Sequence, residues 1–351
     1  MATRTPQSPT DIPGSLWTLL RNKGSTSPHE LTPRRVEFDW SKTPLEWIPG
    51  QPFASHFINE INMILPAGEF WFCRLYNQAL PLITDDKLRA DVQGFIRQEA
   101  MHARAHGGAI EEYLKAHGIH TERNTRLMEW LFNVALADEP YGRKIPRLLQ
   151  RRWLVFRLGL VAAIEHMTCV LGMYAMDNEK WDEAGADATL LDLIRWHGAE
   201  EVEHRCVAFD LYRHLGGGYL SRYYLATITF PMVFGIWTDG AAQIMKQDPR
   251  FADKKPSVFR PWIWREWMRV GRTGYLPSPF WLFIKELPYL SPFYHPLKEG
   301  STEQALQYLN NSPAWHAARA AESARKNVSP ESALAQPATA VSTTATSEAV
   351  H

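Results

Sequence analysis

The chemically richest residues of this chain are four glutamates and two histidines on helix-periodic stretches. In LGLVAAIEHMTCVLGMYA, Glu165 is the only acid among eighteen residues. A carboxylate on such a helix is buried, and leaving it unpaired is costly, so it needs a cation, a proton or a metal beside it. LPAGEFWFCRLY sets Glu69 among Phe70, Trp71 and Phe72 in the same way. FIRQEAMHARAH places Glu99 and His102 at i and i+3, with His106 one turn further along that face. WHGAEEVEHRCVAFD places Glu201 and His204 likewise, with His197 one turn earlier. The order is Glu69, Glu99-x-x-His102, Glu165, Glu201-x-x-His204, with separations of 30, 66 and 36 residues. Two helices giving one Glu each and two giving Glu-x-x-His are the donor set of a two-metal site in a helical bundle. The competing reading is a set of buried ion pairs, for example Arg157 with Glu165.

Four carboxylates and two imidazoles are a hard, anionic set that balances two divalent cations and suits iron, then manganese, better than zinc. Glu69 and Glu165, the lone acids, are the candidate catalytic carboxylates as well as candidate ligands. Two chemistries use such a site: dioxygen activation at an Fe(II) pair, and hydrolysis by a metal-bound hydroxide. His106 and His197 could orient the ligands or hold a further metal. Glu200 competes with Glu201 for the ligand position, being three residues after His197 and four before His204. Asp210 could accept a hydrogen bond near the centre or lie on the surface. His166 points about 100° away from Glu165 and suits a core hydrogen bond. Cys73 and Cys169 each follow a lone glutamate by four residues and read best as small core residues. Glu111, Glu112, His117 and His120 read as solvated.

The elements that must carry these residues are helices. Helical periodicity runs over Phe57–Leu80, Asp85–His117, Thr125–Ala137, Leu158–Met176 and Ala186–Leu215, and no segment alternates with period two. Pro66 marks a start or kink of the first helix, and Gly216-Gly217-Gly218 is the clearest stop. The uncharged Tyr223–Trp237 is shorter than a membrane span needs and reads as a core helix. The aromatic stretch through Pro296 suits core packing, with a membrane-facing surface as the alternative. Residues 1–35 and 317–351 lack the apolar groups to fold. The division is therefore a bundle at 36–218, a helical extension packed on it at 219–316, and two unstructured ends.

Thirty-eight basic and thirty-eight acidic residues remove any global electrostatic case for nucleic acid. Three cysteines without CxxC spacing build neither a disulfide framework nor a zinc knuckle. No secretory signal opens the chain, so the expected compartment is the cytoplasm, with peripheral contact at the inner face of the membrane as an alternative.

The ordered ligand set resembles the ferritin-like di-iron carboxylate superfamily. Within it, PAGEFWF, QEAMHARAH, IEH, WHGAEEVEHRCVAFD and a late FYHP are similar to a bacterial family of predicted metal-dependent hydrolases, over roughly residues 35 to 300. The resemblance implies an all-α, ferritin-like four-helix bundle with a dimetal centre and additional C-terminal helices. It implies Glu69, Glu99, His102, Glu165, Glu201 and His204 as ligands to two irons; the residues Tyr294-His295-Pro296 themselves suit a turn that caps the bundle. The superfamily favours oxygen chemistry on an apolar or lipid-like substrate, and the family's description favours hydrolysis. Metal storage or sensing is a third reading. No GxGxxG motif is present, so oxygen chemistry would draw electrons from a donor protein or small reductant. The oligomeric state is not encoded legibly.

Overall fold

The computed structural model describes residues 22–107 and 109–327, and among them every regular element is helical. Helix α1, Pro52–Ala79, starts with proline in its first turn, where the missing N–H costs nothing. It continues through Pro66, so of the expected start or kink there the start is excluded. Packing against its neighbours outweighs the lost hydrogen bond, which costs about 3 kcal/mol in an isolated helix. Helix α2, Asp86–His106, is capped by Asp85, whose side chain accepts from the Leu88 amide at 2.7 Å. Extended backbone at Gly107 ends it, so the expected single helix to His117 is divided and a short α3 follows at Ala109–Ala116. Helix α4 spans Glu122–Trp130 and passes into one π-helical turn, Leu131–Ala135.

Helix α5, Arg147–Asp177, is the apolar spine, starting eleven residues before the expected Leu158. It is long and apolar enough to cross a membrane, yet most of its apolar stretch is buried inside the bundle. Helix α6, Ala188–His204, is capped by Asp187 on the Leu190 amide at 3.0 Å. A break at Arg205-Cys206 separates it from α7, Val207–His214. The Arg205 guanidinium fills that break, donating to the carbonyls of Val202 and Pro296. Gly216, at φ +101°, turns the chain out of α7 as expected. Helix α8, Tyr219–Gln247, packs along α5 and α1 and contains the uncharged Tyr223–Trp237. Beyond it lie α9 (Pro261–Thr273), α10 (Pro279–Glu286), α11 (Thr302–Asn311) and α12 (Pro313–Asn327).

The close pairs are α1 with α2 and α5 with α6. The second pair crosses at glycines: a β-carbon on Gly172 would lie 2.8 Å from Gly198 Cα. This approach brings the backbones together where Glu165 and Glu201 must face each other. The aromatic stretch divides. Trp237, Trp267 and Tyr289 are buried, whereas Phe280, Phe283 and Phe293 are exposed.

Both ends depart from expectation. Residues 1–21 and 328–351 lie outside the described residues, but 22–35 are packed on the bundle and 313–327 are helical. Leu31 is buried against Gly94 of α2, where a β-carbon would sit 2.8 Å from the leucine side chain. Thr26 donates to Asp210 through both its amide and its hydroxyl, at 2.7 Å each. Composition concealed these partners, because each belongs to a distant helix.

Candidate metal centre

Helices α1, α2, α5 and α6 bring Glu69, Glu99, His102, Glu165, Glu201 and His204 into one buried cluster. His204 Nε2 lies 3.2 Å from Glu165 Oε2, 3.2 Å from Glu201 Oε2 and 3.5 Å from Glu99 Oε1. His102 Nδ1 lies 3.4 Å from Glu99 Oε1 and 3.6 Å from Glu201 Oε1. Glu99 and Glu201 thus stand between the two imidazoles, with Glu165 on the His204 side. Glu69 lies 3.7 Å from His197 Nε2. Two groups of donors, Glu69 with His102 and His197, and Glu99 with Glu201 and His204, each lie close enough to share an ion.

Three of these carboxylates are orphaned. Both oxygens of Glu69, Glu99 and Glu165, and Nδ1 of His102, are buried without a hydrogen bond. Burial, then Glu99, pushes Glu69 well above the usual carboxylate range. Burial and then Glu201 push Glu165 up to about 8. Glu201 is different: burial acts to raise it, but His204 and His197 hold it well below its ordinary value. His204 is held high against burial by Glu201 and Glu165. A cluster so short of positive charge suits cations. The spacing fits as well, since donors about 2.1 Å from one ion at right angles stand about 3 Å apart.

A second layer fixes the donors. His102 Nε2 meets Glu200 Oε2 at 2.9 Å, and Arg34 donates to Glu200 Oε1 at 2.8 Å. Glu200 therefore holds the back of an imidazole, while Glu201 faces the cluster. His204 Nδ1 meets Gln98 Oε1 at 3.2 Å, and Gln98 donates to Glu203 at 2.7 Å. Arg34 also donates to Glu203, as His29 pairs with it at 2.9 Å. Thr168 donates to Glu201 Oε2 at 2.5 Å. His106 meets His197 at 2.6 Å, and His197 meets Glu201 Oε1 at 2.8 Å, so His197 touches the cluster directly and His106 through it. Burial, then His102, pulls His197 down to about 4. Arg34, Gln98, Glu203 and Thr168 were not singled out from sequence. Gln98 and Glu203 flank ligand-pattern residues, but Arg34 carries no local signal.

Other candidates lie elsewhere. His166 bonds the Tyr294 hydroxyl at 3.0 Å in the core, as expected. Asp210 is buried and holds Thr26, so it is neither a surface acid nor a partner of the cluster. Cys73 donates to the Ile96 carbonyl, and burial, then Glu99, pushes its thiol up to about 12. Cys169 is buried and its thiol is also raised. Glu111, Glu112, His117 and His120 are exposed. His295 caps the turn Pro296–Lys298 through Nδ1, away from the cluster. An apolar cavity of about 110 Å³ reaches Glu69, Glu99, Glu165 and Glu201. Its walls come chiefly from α1 and α5, with Met128 of α4 and the π-helical turn after it, and the expected aromatic stretch contributes Met232, Val233, Ile236 and Trp237 of α8.

No curated protein and no solved structure matches the chain. A family model described as "Predicted metal-dependent hydrolase" matches residues 32–300, a span that begins just before Arg34 and contains every residue of the cluster, and the chain belongs to that family.

Proposed function

We propose that this chain is an enzyme working at a two-metal centre in a ferritin-like bundle, held by Glu69, Glu99, His102, Glu165, Glu201 and His204. The observation that carries the reading is the convergence of buried carboxylates on one another, Glu69, Glu99 and Glu165 having beside them, among the described residues, no donor other than the imidazoles of the same cluster. Glu99 and Glu201 lie between His102 and His204 and would be shared by the two ions, and His197, 3.7 Å from Glu69, would add a seventh donor.

Two bound divalent ions would supply Lewis acidity for hydrolysis or, as Fe(II), electrons for dioxygen reduction. Membership of a family of predicted metal-dependent hydrolases supports hydrolysis. The chain's own part is to hold the donors still: Glu200 fixes the His102 ring, Gln98 fixes His204, and Thr168 leaves Glu201 only part of its lone pairs. Glu69 and Glu165, which face imidazoles at 3.7 and 3.2 Å and, among the described residues, no Lys, Arg or hydroxyl, are the carboxylates able to take a proton from a bound water or substrate. The second reading, oxygen chemistry with electrons from a donor protein or small reductant, is supported by the carboxylate-rich donor set and the water-excluding cavity. Iron suits it best, and manganese serves either reading.

Anaerobic titration of the metal-free protein with Fe(II), followed by air, tests both. About two irons per chain are expected. Prompt formation of a coloured ferric pair selects oxygen chemistry, and binding that ignores oxygen selects hydrolysis. Glu165→Ala and His204→Ala are expected to lower metal per chain with helical circular dichroism kept. Unchanged stoichiometry in both would refute the ligand set. Glu201→Ala should lose metal more severely than Glu200→Ala.

A further inference from the structure

A second apolar cavity, of about 70 Å³, adjoins the first. Ile61, Leu65, Thr168, Leu171, Glu201 and Trp237 border both, and they form a waist beside the carboxylate cluster. The larger cavity contains Glu69, Glu99 and Glu165 in its wall, and the smaller one His106 and His197. Along α5 the lining runs from Leu160 to Ala175, about 22 Å at 1.5 Å per residue. The metal cluster therefore sits at the middle of an elongated slot. Native interiors leave few voids larger than a water, so spaces of this size and character mark a ligand. Ile61, Ile164, Leu171 and Ile236 keep part of their surface uncovered within this interior.

The polar inventory of the walls is decisive. Among the described residues, no Lys or Arg lines either cavity. Thr168 is engaged by Glu201, Tyr174 by the Gly274 carbonyl, Trp181 by Tyr275, Trp71 by Leu136 and Trp237 by Phe57. Away from the cluster, the polar side-chain atom left unpaired among the described lining residues is His106 Nδ1, which offers one hydrogen bond and no cationic partner for a carboxylate or a phosphate, and a buried charge without a partner is costly.

We infer that the substrate is an uncharged molecule whose reacting bond is internal, with an apolar arm on each side, one arm in each cavity. Under hydrolysis this is an ester or amide joining two apolar groups, cleaved by water into an acid and an alcohol or amine. Under oxygen chemistry it is a chain attacked away from its ends. The inference rests on the two-metal reading for the position of the reacting bond, but the slot itself does not.

The test uses the metal-loaded full chain equilibrated, with air excluded, with heptadecan-9-one, a ketone that keeps an apolar eight-carbon arm on each side of one carbonyl and that water cannot cleave, or with octanoate. Retained ligand after gel filtration is measured by gas chromatography, and metal is counted in the same fractions. About one ketone per chain is expected, with octanoate retained at least tenfold less. Leu171→Trp at the waist and Ile164→Trp in the larger cavity should each lower ketone retention tenfold or more at unchanged metal content. Leu171→Phe serves if a tryptophan variant fails to fold. Octanoate retained as well as the ketone, or ketone retention indifferent to these substitutions, would overturn the inference. Ketone bound by a chain that holds no metal would refute the two-metal reading and leave the slot standing. Metal held with the ketone excluded would do the reverse.

Discussion

Arg34 is the side chain with the widest reach for its size. It is buried and joins Glu200 and Glu203, and through them it steadies both histidines of the cluster. Breaking a buried pair by removing one partner costs about 3–5 kcal/mol, because the other charge is left stranded. Arg34→Ala should therefore lower the urea unfolding free energy by about that amount. A loss under about 1 kcal/mol would mean that the pair is solvated. Sequence revealed the six cluster residues because each is an acid or histidine on an apolar helix, and helical spacing alone puts them on one face. It concealed Arg34, which sits among prolines and charges and gains its meaning from residues 166 and 169 positions away. The choice between Glu200 and Glu201 was equally hidden: adjacent residues differ by about 100° around a helix, and only the packing says which side faces inward.

At the scale of elements, the crossing of α5 and α6 sets the distance between Glu165 and Glu201. A β-carbon on Gly198 would lie 2.7 Å from Gly172 Cα, so neither position accepts a methyl group without moving a helix. Gly172→Ala is expected to lower the thermal midpoint by several degrees, from about 1–3 kcal/mol of overpacking. It should also weaken metal binding, though it touches no ligand. A variant with wild-type metal content and midpoint would show that the crossing relaxes freely. Helix identities were legible from periodicity, but their ends were not. Pro66 is overridden by packing along α1, Gly107 divides α2 from α3, and Arg205 divides α6 from α7 through backbone contacts with residues far along the chain.

The molecule as a whole carries buried ionisable groups away from the cluster, and they shape its response to pH. Glu286 lies buried 3.3 Å from His166, and burial pushes its carboxyl from 4.5 up to about 9. Between those values the folded protein keeps a proton that the unfolded chain has released, so this group lowers stability as pH rises. Glu286→Gln removes the titration and keeps the shape. Its thermal midpoint relative to wild type should rise between about pH 5 and about pH 8.5, and a constant difference would place the carboxylate in contact with water. The all-helical class and the bundle were legible at this scale, because buried acids on apolar helices need partner helices. The packed segment from residue 22 to 35 was not, and it bears on how the chain is made. Thr26 and Arg34 leave the ribosome early, yet their partners, Glu200, Glu203 and Asp210, are synthesised more than 160 residues later. The segment can lean on α2 through Leu31 early, but Thr26 and Arg34 wait for their partners until α6 and α7 exist, so its docking is completed late in synthesis rather than at its start.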